Sequence, residues 1–101
     1  MYSNTRFEWD PQKNESHKHK MMHGVSFQEA REVFDDPLHI ALLDERFSYF
    51  EERWIKVGRT SRSRIVVAAH VYFETGGEEV IRIISARTAT TNERRQYENE
   101  A

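Results

Sequence analysis

The stretch that decides the fold is Arg64-Ile65-Val66-Val67-Ala68-Ala69-His70-Val71-Tyr72-Phe73, then Glu74-Thr75-Gly76-Gly77-Glu78, then Glu79-Val80-Ile81-Arg82-Ile83-Ile84-Ser85-Ala86. Val and Ile fit a pleated, half-buried surface, so 64–73 and 79–86 read as strands. The two glycines between them supply the positive φ that a tight hairpin turn requires. Arg82, and Arg87 just beyond, interrupt an otherwise apolar run. A guanidinium in such a run needs a reason, because Arg is seldom buried without a partner.

Outward from this hairpin, Arg53 to Gly58 reads as a third strand with Trp54 in the core, and Leu38 to Leu43 as a short one. Asp44 to Glu52 is a polar loop or turn. Arg6-Phe7-Glu8-Trp9 alternates polar and apolar residues, the pattern of a first strand. Asp10-Pro11 pairs a favoured N-cap with a favoured first helical residue, so a polar helix starts there and runs to about Lys20, with Met21 and Met22 its apolar contribution and His23-Gly24 its end. Ser26 and Glu29 have capping-box spacing, and Val25 is placed to staple onto Ala30. The helix they open carries Phe27, Ala30, Val33 and Phe34 on one face and stops at Asp35-Asp36-Pro37. Thr90 and Glu93 repeat the capping-box spacing before a charged helix through Tyr97. The expected architecture is α+β: a small antiparallel sheet with two N-terminal helices and a C-terminal helix, covered on one face and partly open on the other.

At 101 residues, with 38% hydrophobic and 32% charged, the chain reads as a single domain spanning 1–101. It has no cysteine, which excludes disulfides and thiolate chemistry. No apolar run approaches the roughly 18 residues of a membrane span, and the first residues lack the apolar core of a signal peptide, so a cytoplasmic location is expected.

The formal net charge of −2 hides a split. Trp54 to Phe73 carries Lys56, Arg59, Arg62 and Arg64 without an acid, and Val80 to Asn92 adds Arg82 and Arg87. Cations at the ends and on one side of successive strands suit a polyanion held against a sheet. The alternative is a solvated face tied up in ion pairs with Glu78, Glu79 or Glu93. His70 lies inside an apolar strand, where a histidine is more often a satisfied core residue than a proton carrier. His17, His19 and His23 do not share one helical face and have no acidic or thiolate companion, so no metal and no other cofactor is expected. The helices are not notably basic and there is no helix-turn-helix signature, which argues against direct DNA binding.

The segments Phe7-Glu8-Trp9-Asp10-Pro11, His23-Gly24-Val25-Ser26-Phe27, Val33-Phe34-Asp35-Asp36-Pro37, Gly58-Arg59, Ile81 to Arg87, Ala89-Thr90, Glu93-Arg94-Arg95 and Tyr97 closely resemble the BrnT family of toxins, in order and over nearly the whole chain. One departure falls in the first helix. Members usually carry Asn in its middle and a Lys-His-Gly junction, whereas here His17-Lys18-His19-Lys20-Met21-Met22 precedes His23, about two residues longer than usual.

The resemblance implies a RelE-like fold, RNA cleavage that inhibits translation, and a BrnA antitoxin that carries the DNA contact, in a hetero-oligomer such as 2:2. For such an enzyme, Arg59, Arg82 and Arg87 would meet the charge that builds on the phosphorane in one groove, since a guanidinium forks onto phosphate oxygens. Lys56, Arg62 and Arg64 would bind the RNA backbone. His70 is a candidate acid or base. Tyr97, at the place of the C-terminal tyrosine of RelE-like enzymes, would supply a hydroxyl or stack a base, or else pack the helix on the sheet. A non-catalytic module that only docks an antitoxin and contributes to repression would carry the same positive groove.

Overall fold

The computed structural model describes residues 5–13, 24–43 and 53–100. Five strands form one mixed sheet in the order β1-β5-β4-β3-β2, made of β1 (Thr5–Glu8), β2 (Ile40–Leu43), β3 (Trp54–Arg59), β4 (Ile65–Thr75) and β5 (Glu78–Thr88). The helices are α1 (Phe27–Glu32), prolonged by a 3₁₀ turn over Val33–Asp35, and α2 (Thr91–Glu100). Residues 11–13 are helical, as the Asp10-Pro11 start predicts. The rest of that expected helix, with Met21, Met22 and His23, and the Asp44–Glu52 loop lie outside the described residues.

The sheet is not wholly antiparallel. β1 lies parallel to β5, Phe7 beside Ile81 and Glu8 beside Arg82, while the other three pairings are antiparallel. The alternation of Arg6 to Trp9 identifies a strand but carries no direction, and only the crossover through α1 and back across the sheet sets it. The β4–β5 hairpin closes on Gly76 (φ 58°) and Gly77 (φ 77°), both in the left-handed region that a two-residue turn demands.

β5 contains a bulge that matters for the site. His70 pairs with Ile83 but Ala69 with Ser85, so Ile84 has no partner. Side chains alternate faces with a period of two, and positions 82 and 87 would otherwise point opposite ways. The extra residue brings them to one face: Arg82 lies opposite Val71 and Arg87 opposite Val67, and Arg59 lies opposite Ile65 on the same side.

α1 and α2 sit on opposite faces of the sheet, rather than together on one as the sequence suggests. Val25, Phe27, Ala30, Val33 and Phe34 pack on Val66, Ala68, Ile81, Ile83 and Ala86, with Phe7 and Trp9 alongside. On the other face Tyr97 of α2 covers Val57, Ile65 and Val67. Each buried Val, Ile or Phe contributes about 1.5–3 kcal/mol, so the two clusters hold both helices down. Trp54 is not core: it stands at the first position of β3, opposite Leu43 and His70, and keeps 36% of its surface exposed.

Ser26 caps α1 as predicted, accepting from Glu29 N at 3.1 Å. The other half of the capping box is diverted. The Glu29 carboxylate accepts from Arg64 Nε (2.8 Å) and the second guanidinium nitrogen (2.6 Å), and from the Thr60 hydroxyl (2.7 Å). Arg64 also donates to Gly24 O at 3.0 Å.

Candidate functional site

Arg59, Arg82 and Arg87 share the face that carries α2, at different heights. Their β4 neighbours Ile65, Val67 and Val71 place Arg59 and Arg87 two residues apart along the sheet and Arg82 four further. At about 3.4 Å per residue and about 4.8 Å per strand, Arg59 and Arg87 have Cα atoms about 12 Å apart, and Arg59 and Arg82 about 22 Å. Arg59 and Arg82 cannot fork onto one phosphate. The expected single groove becomes a line along the sheet.

Two of the three guanidiniums already have carboxylate partners. Arg82 Nε donates to Glu8 at 2.6 Å and its guanidinium stacks on the Phe73 ring at 5.0 Å. The Arg82 hydrogen bond, against the opposing effect of burial, holds the Glu8 carboxyl below its usual range. Arg87 forks onto both oxygens of Glu93, at 2.6 and 2.8 Å. That contact is the main cause that brings the Glu93 pKa down to about 2. Glu93 is also half of the predicted capping box of α2: its carboxylate accepts from Thr90 N at 2.9 Å, and its own N–H donates to the Thr90 hydroxyl at 3.2 Å.

Arg59 is different. It is exposed, and no ion pair engages it among the described residues. β2 stops pairing at Ile40–Val57, which leaves the outer edge of Gly58-Arg59 open. Asp36 fills that edge. Its Oδ2 accepts from Arg59 N at 2.8 Å and from the Tyr97 hydroxyl at 2.6 Å, and its Oδ1 accepts from Leu38 N at 2.9 Å, an Asx turn. Burial pushes the Asp36 carboxyl up, but these three donors together with the nearby His39 leave it below the ordinary range. Gly58 permits the approach, since a Cβ there would stand 3.0 Å from Val33 Cγ1 and 3.2 Å from Asp36 Oδ2. Arg59, Asp36, Glu32, Asp35, Pro37, Thr60 and Ser61 line a cleft of about 400 Å³.

The other expected site residues disperse. Arg64 has 21% of its side chain exposed and braces the start of β4 against α1 through Glu29, which is 5% exposed. Arg62 is 69% exposed and only 3.9 Å from the same carboxylate. Lys56 points to the α1 face, where its Nζ lies 2.8 Å from His39 Nε2. His39 Nδ1 in turn lies 2.9 Å from Asp36 O. His70 is on that face too, 4% exposed, its ring edge-on to Phe34 at 4.9 Å. Burial first, then the charges of Lys56 and His39, push its pKa down to about 4 against the pull of the Ala68 carbonyl. His70 is therefore neutral near pH 7, with the sheet between it and the three arginines. Tyr97 has its ring buried at 4% exposure. No group of three or more His, Asp or Glu among the described residues is arranged to hold a metal. No described helix is long and apolar enough to cross a membrane.

Asp36 escaped sequence reasoning because Asp35-Asp36-Pro37 reads only as a helix stop. The available signal was an Asp two residues before a free N–H in a Pro-containing turn, the pattern of an Asx turn.

Residues 9–93 match the family model described as ribonuclease toxin, BrnT, of type II toxin-antitoxin system. No curated protein matches the chain. A match over that span takes in every strand after β1, helix α1 with the Asp36 turn, Arg59, Arg82, Arg87 and the first turn of α2. The chain belongs to the BrnT family of ribonuclease toxins of type II toxin–antitoxin systems.

Proposed function

We propose that this chain is a metal-independent endoribonuclease of RelE-like fold, a single toxin domain that cuts RNA, inhibits translation in the cytoplasm and is neutralised by a BrnA-like antitoxin, with DNA contacted only through that partner. The observation that carries the reading is Arg59: an exposed guanidinium with a fixed backbone, beside a cleft at the end of the sheet. In this reaction the 2′-hydroxyl loses its proton to solvent as its oxygen attacks phosphorus, the bond to the 5′-oxygen breaks as that oxygen takes up a proton from solvent, and negative charge grows on the non-bridging oxygens. Arg59 is placed to meet that charge, which is larger in the transition state than in the bound RNA, so its contact lowers the barrier rather than only tightening binding. Arg62 extends the positive track along the backbone of a single strand, and Arg82 would join it only by releasing Glu8.

The test is cleavage of single-stranded and ribosome-bound RNA by the purified chain without a partner and with EDTA present. Cleavage that persists in EDTA and falls about two to three decades in Arg59→Ala, the scale of losing one preorganised electrostatic contact, supports the assignment. Glu8 and Glu93 already meet Arg82 and Arg87, and this favours a second reading: a non-catalytic module that docks its antitoxin. Absence of cleavage on both substrates, with or without added divalent metal, would select it.

A further inference from the structure

Tyr97 invites a role in the chemistry, but its surroundings point elsewhere. The ring lies between α2 and the sheet, packed with Val57, Ile65 and Val67, so it offers no face to a base. The hydroxyl donates a hydrogen bond to Asp36 Oδ2 at 2.6 Å. Burial and the Asp36 carboxylate raise the phenol pKa while the neighbouring Arg59 guanidinium opposes them, so the group stays protonated at neutral pH. The same Oδ2 accepts the Arg59 backbone N–H at 2.8 Å. One carboxylate oxygen thus ties α2 to the last residue of β3, and the phenol oxygen beside it stands next to the guanidinium of that residue.

We infer that Asp36 and Tyr97 are positioning residues for Arg59: the carboxylate fixes its backbone where β3 leaves the sheet, and the phenol oxygen holds its side chain toward the cleft before RNA arrives. This rests on the assignment of Arg59 to the phosphate. The physical gain is entropic. An exposed arginine samples many rotamers, and an arginine already aimed at the developing charge gives up less freedom in the transition state. Asp36 also explains a feature of the local sequence. Its second oxygen closes the turn at Leu38, so the carboxylate cannot swing away from the edge it occupies.

Cleavage kinetics on a single-stranded RNA oligonucleotide are measured for the wild-type chain, Tyr97→Phe, Asp36→Asn, Arg59→Ala and the two double variants with Arg59→Ala. Tyr97→Phe keeps the buried ring. It should lower kcat about ten- to thirtyfold, the ratio equivalent to one arginine's rotamer entropy, with KM nearly unchanged and the shape of the pH profile preserved. In the Arg59→Ala background neither Tyr97→Phe nor Asp36→Asn should reduce the rate further, because each acts through a group no longer present. The Arg59 Nε–H resonance, sharp in the wild-type protein, should average toward that of a free side chain in Tyr97→Phe. Full multiplicative effects in the Arg59→Ala background, or loss of one limb of the pH profile in Tyr97→Phe, would overturn the inference by giving Tyr97 a role of its own. Should Tyr97→Phe not fold, the Asp36→Asn cycle reads the same coupling. Unimpaired cleavage by Arg59→Ala would instead overturn the assignment of Arg59 itself. An impaired Arg59→Ala with independent Tyr97 and Asp36 effects would leave that assignment standing and remove only the positioning role.

Discussion

Arg59 and Arg64 are five positions apart and have opposite fates. Arg64 closes on Glu29, a carboxylate with 5% of its side chain exposed, so truncating it leaves a buried charge with only the Thr60 hydroxyl and the longer Arg62 contact, a loss near the lower end of about 3–5 kcal/mol. Arg64→Ala should therefore lower the melting temperature by more than about 12 °C, at about 4–8 °C per kcal/mol for a domain of this size, while Arg59→Ala leaves it nearly unchanged. Differential scanning calorimetry of the two variants decides it, and a larger loss in Arg59→Ala would reverse the roles given to them. His70 makes a pH prediction. Its folded pKa of about 4 lies below the ordinary 6.5, so the unfolded chain binds the proton more readily. Stability is complete above about pH 6.5, falls as the pH drops toward 4, and loses about 3 kcal/mol in all by linkage. Urea midpoints at pH 7.5 and 5 test this; a His70→Gln variant showing the same drop would clear His70 of responsibility.

α2 is a charged helix whose attachment depends on its first turn and on Tyr97. The Arg87 fork on Glu93 and the Thr90 cap meet at the point where the chain leaves β5. Since Glu93 titrates at about 2 when folded and near 4.5 when free, its contribution is present above about pH 4.5 and lost as the pH falls toward 2. Protection factors of the α2 amides, taken relative to the pH-dependent intrinsic exchange rate, should fall across that window in the wild-type protein. In Glu93→Gln they should already be low at neutral pH, and a protected α2 in that variant would contradict the account. The bulge at Ile84 acts at the same scale. Deleting Ile84 leaves Arg82 and Arg87 four positions apart, so strict alternation keeps both on the α2 face and preserves the other β4–β5 pairings. Such a deletion should retain cooperative unfolding near the wild-type midpoint, and loss of a sigmoidal melt would show that the bulge itself supports the strand.

For the molecule as a whole, the ion pairs matter more than the count of cations. The six basic residues from Lys56 to Arg87 would suggest many phosphate contacts, but Arg64, Arg82 and Arg87 are engaged by Glu29, Glu8 and Glu93, and Lys56 faces the α1 side. With Arg59 and Arg62 the main contributors, the slope of log affinity against log salt for a single strand should be about −1 to −2, at about −0.7 per phosphate neutralised. A slope of −4 would mean that Glu8 and Glu93 release their partners when RNA binds. An antitoxin that silences the chain by covering this face should slow exchange in β3 and in the first turn of α2. Protection confined to α1 would place it on the other side of the sheet.

Much of this architecture is written locally. The β-branched runs, the Gly76-Gly77 turn, the Ser26 and Thr90 caps and the Pro37 stop depend on residues within a few positions of one another, so 64–73, 79–86 and the helix starts are legible in the chain as it stands. Arg59 is legible as well, because a cation at the end of an apolar strand is a local anomaly. Three matters belong to the tertiary structure. The direction of β1 depends on a crossover between residues more than seventy positions apart. The partners of the arginines, Glu8 for Arg82 and Glu29 for Arg64, are found only when distant elements pack. Asp36 gains its place because β2 ends short of Arg59 and α2 arrives from the far end of the chain, and a carboxylate takes its role from the donors that folding brings to it.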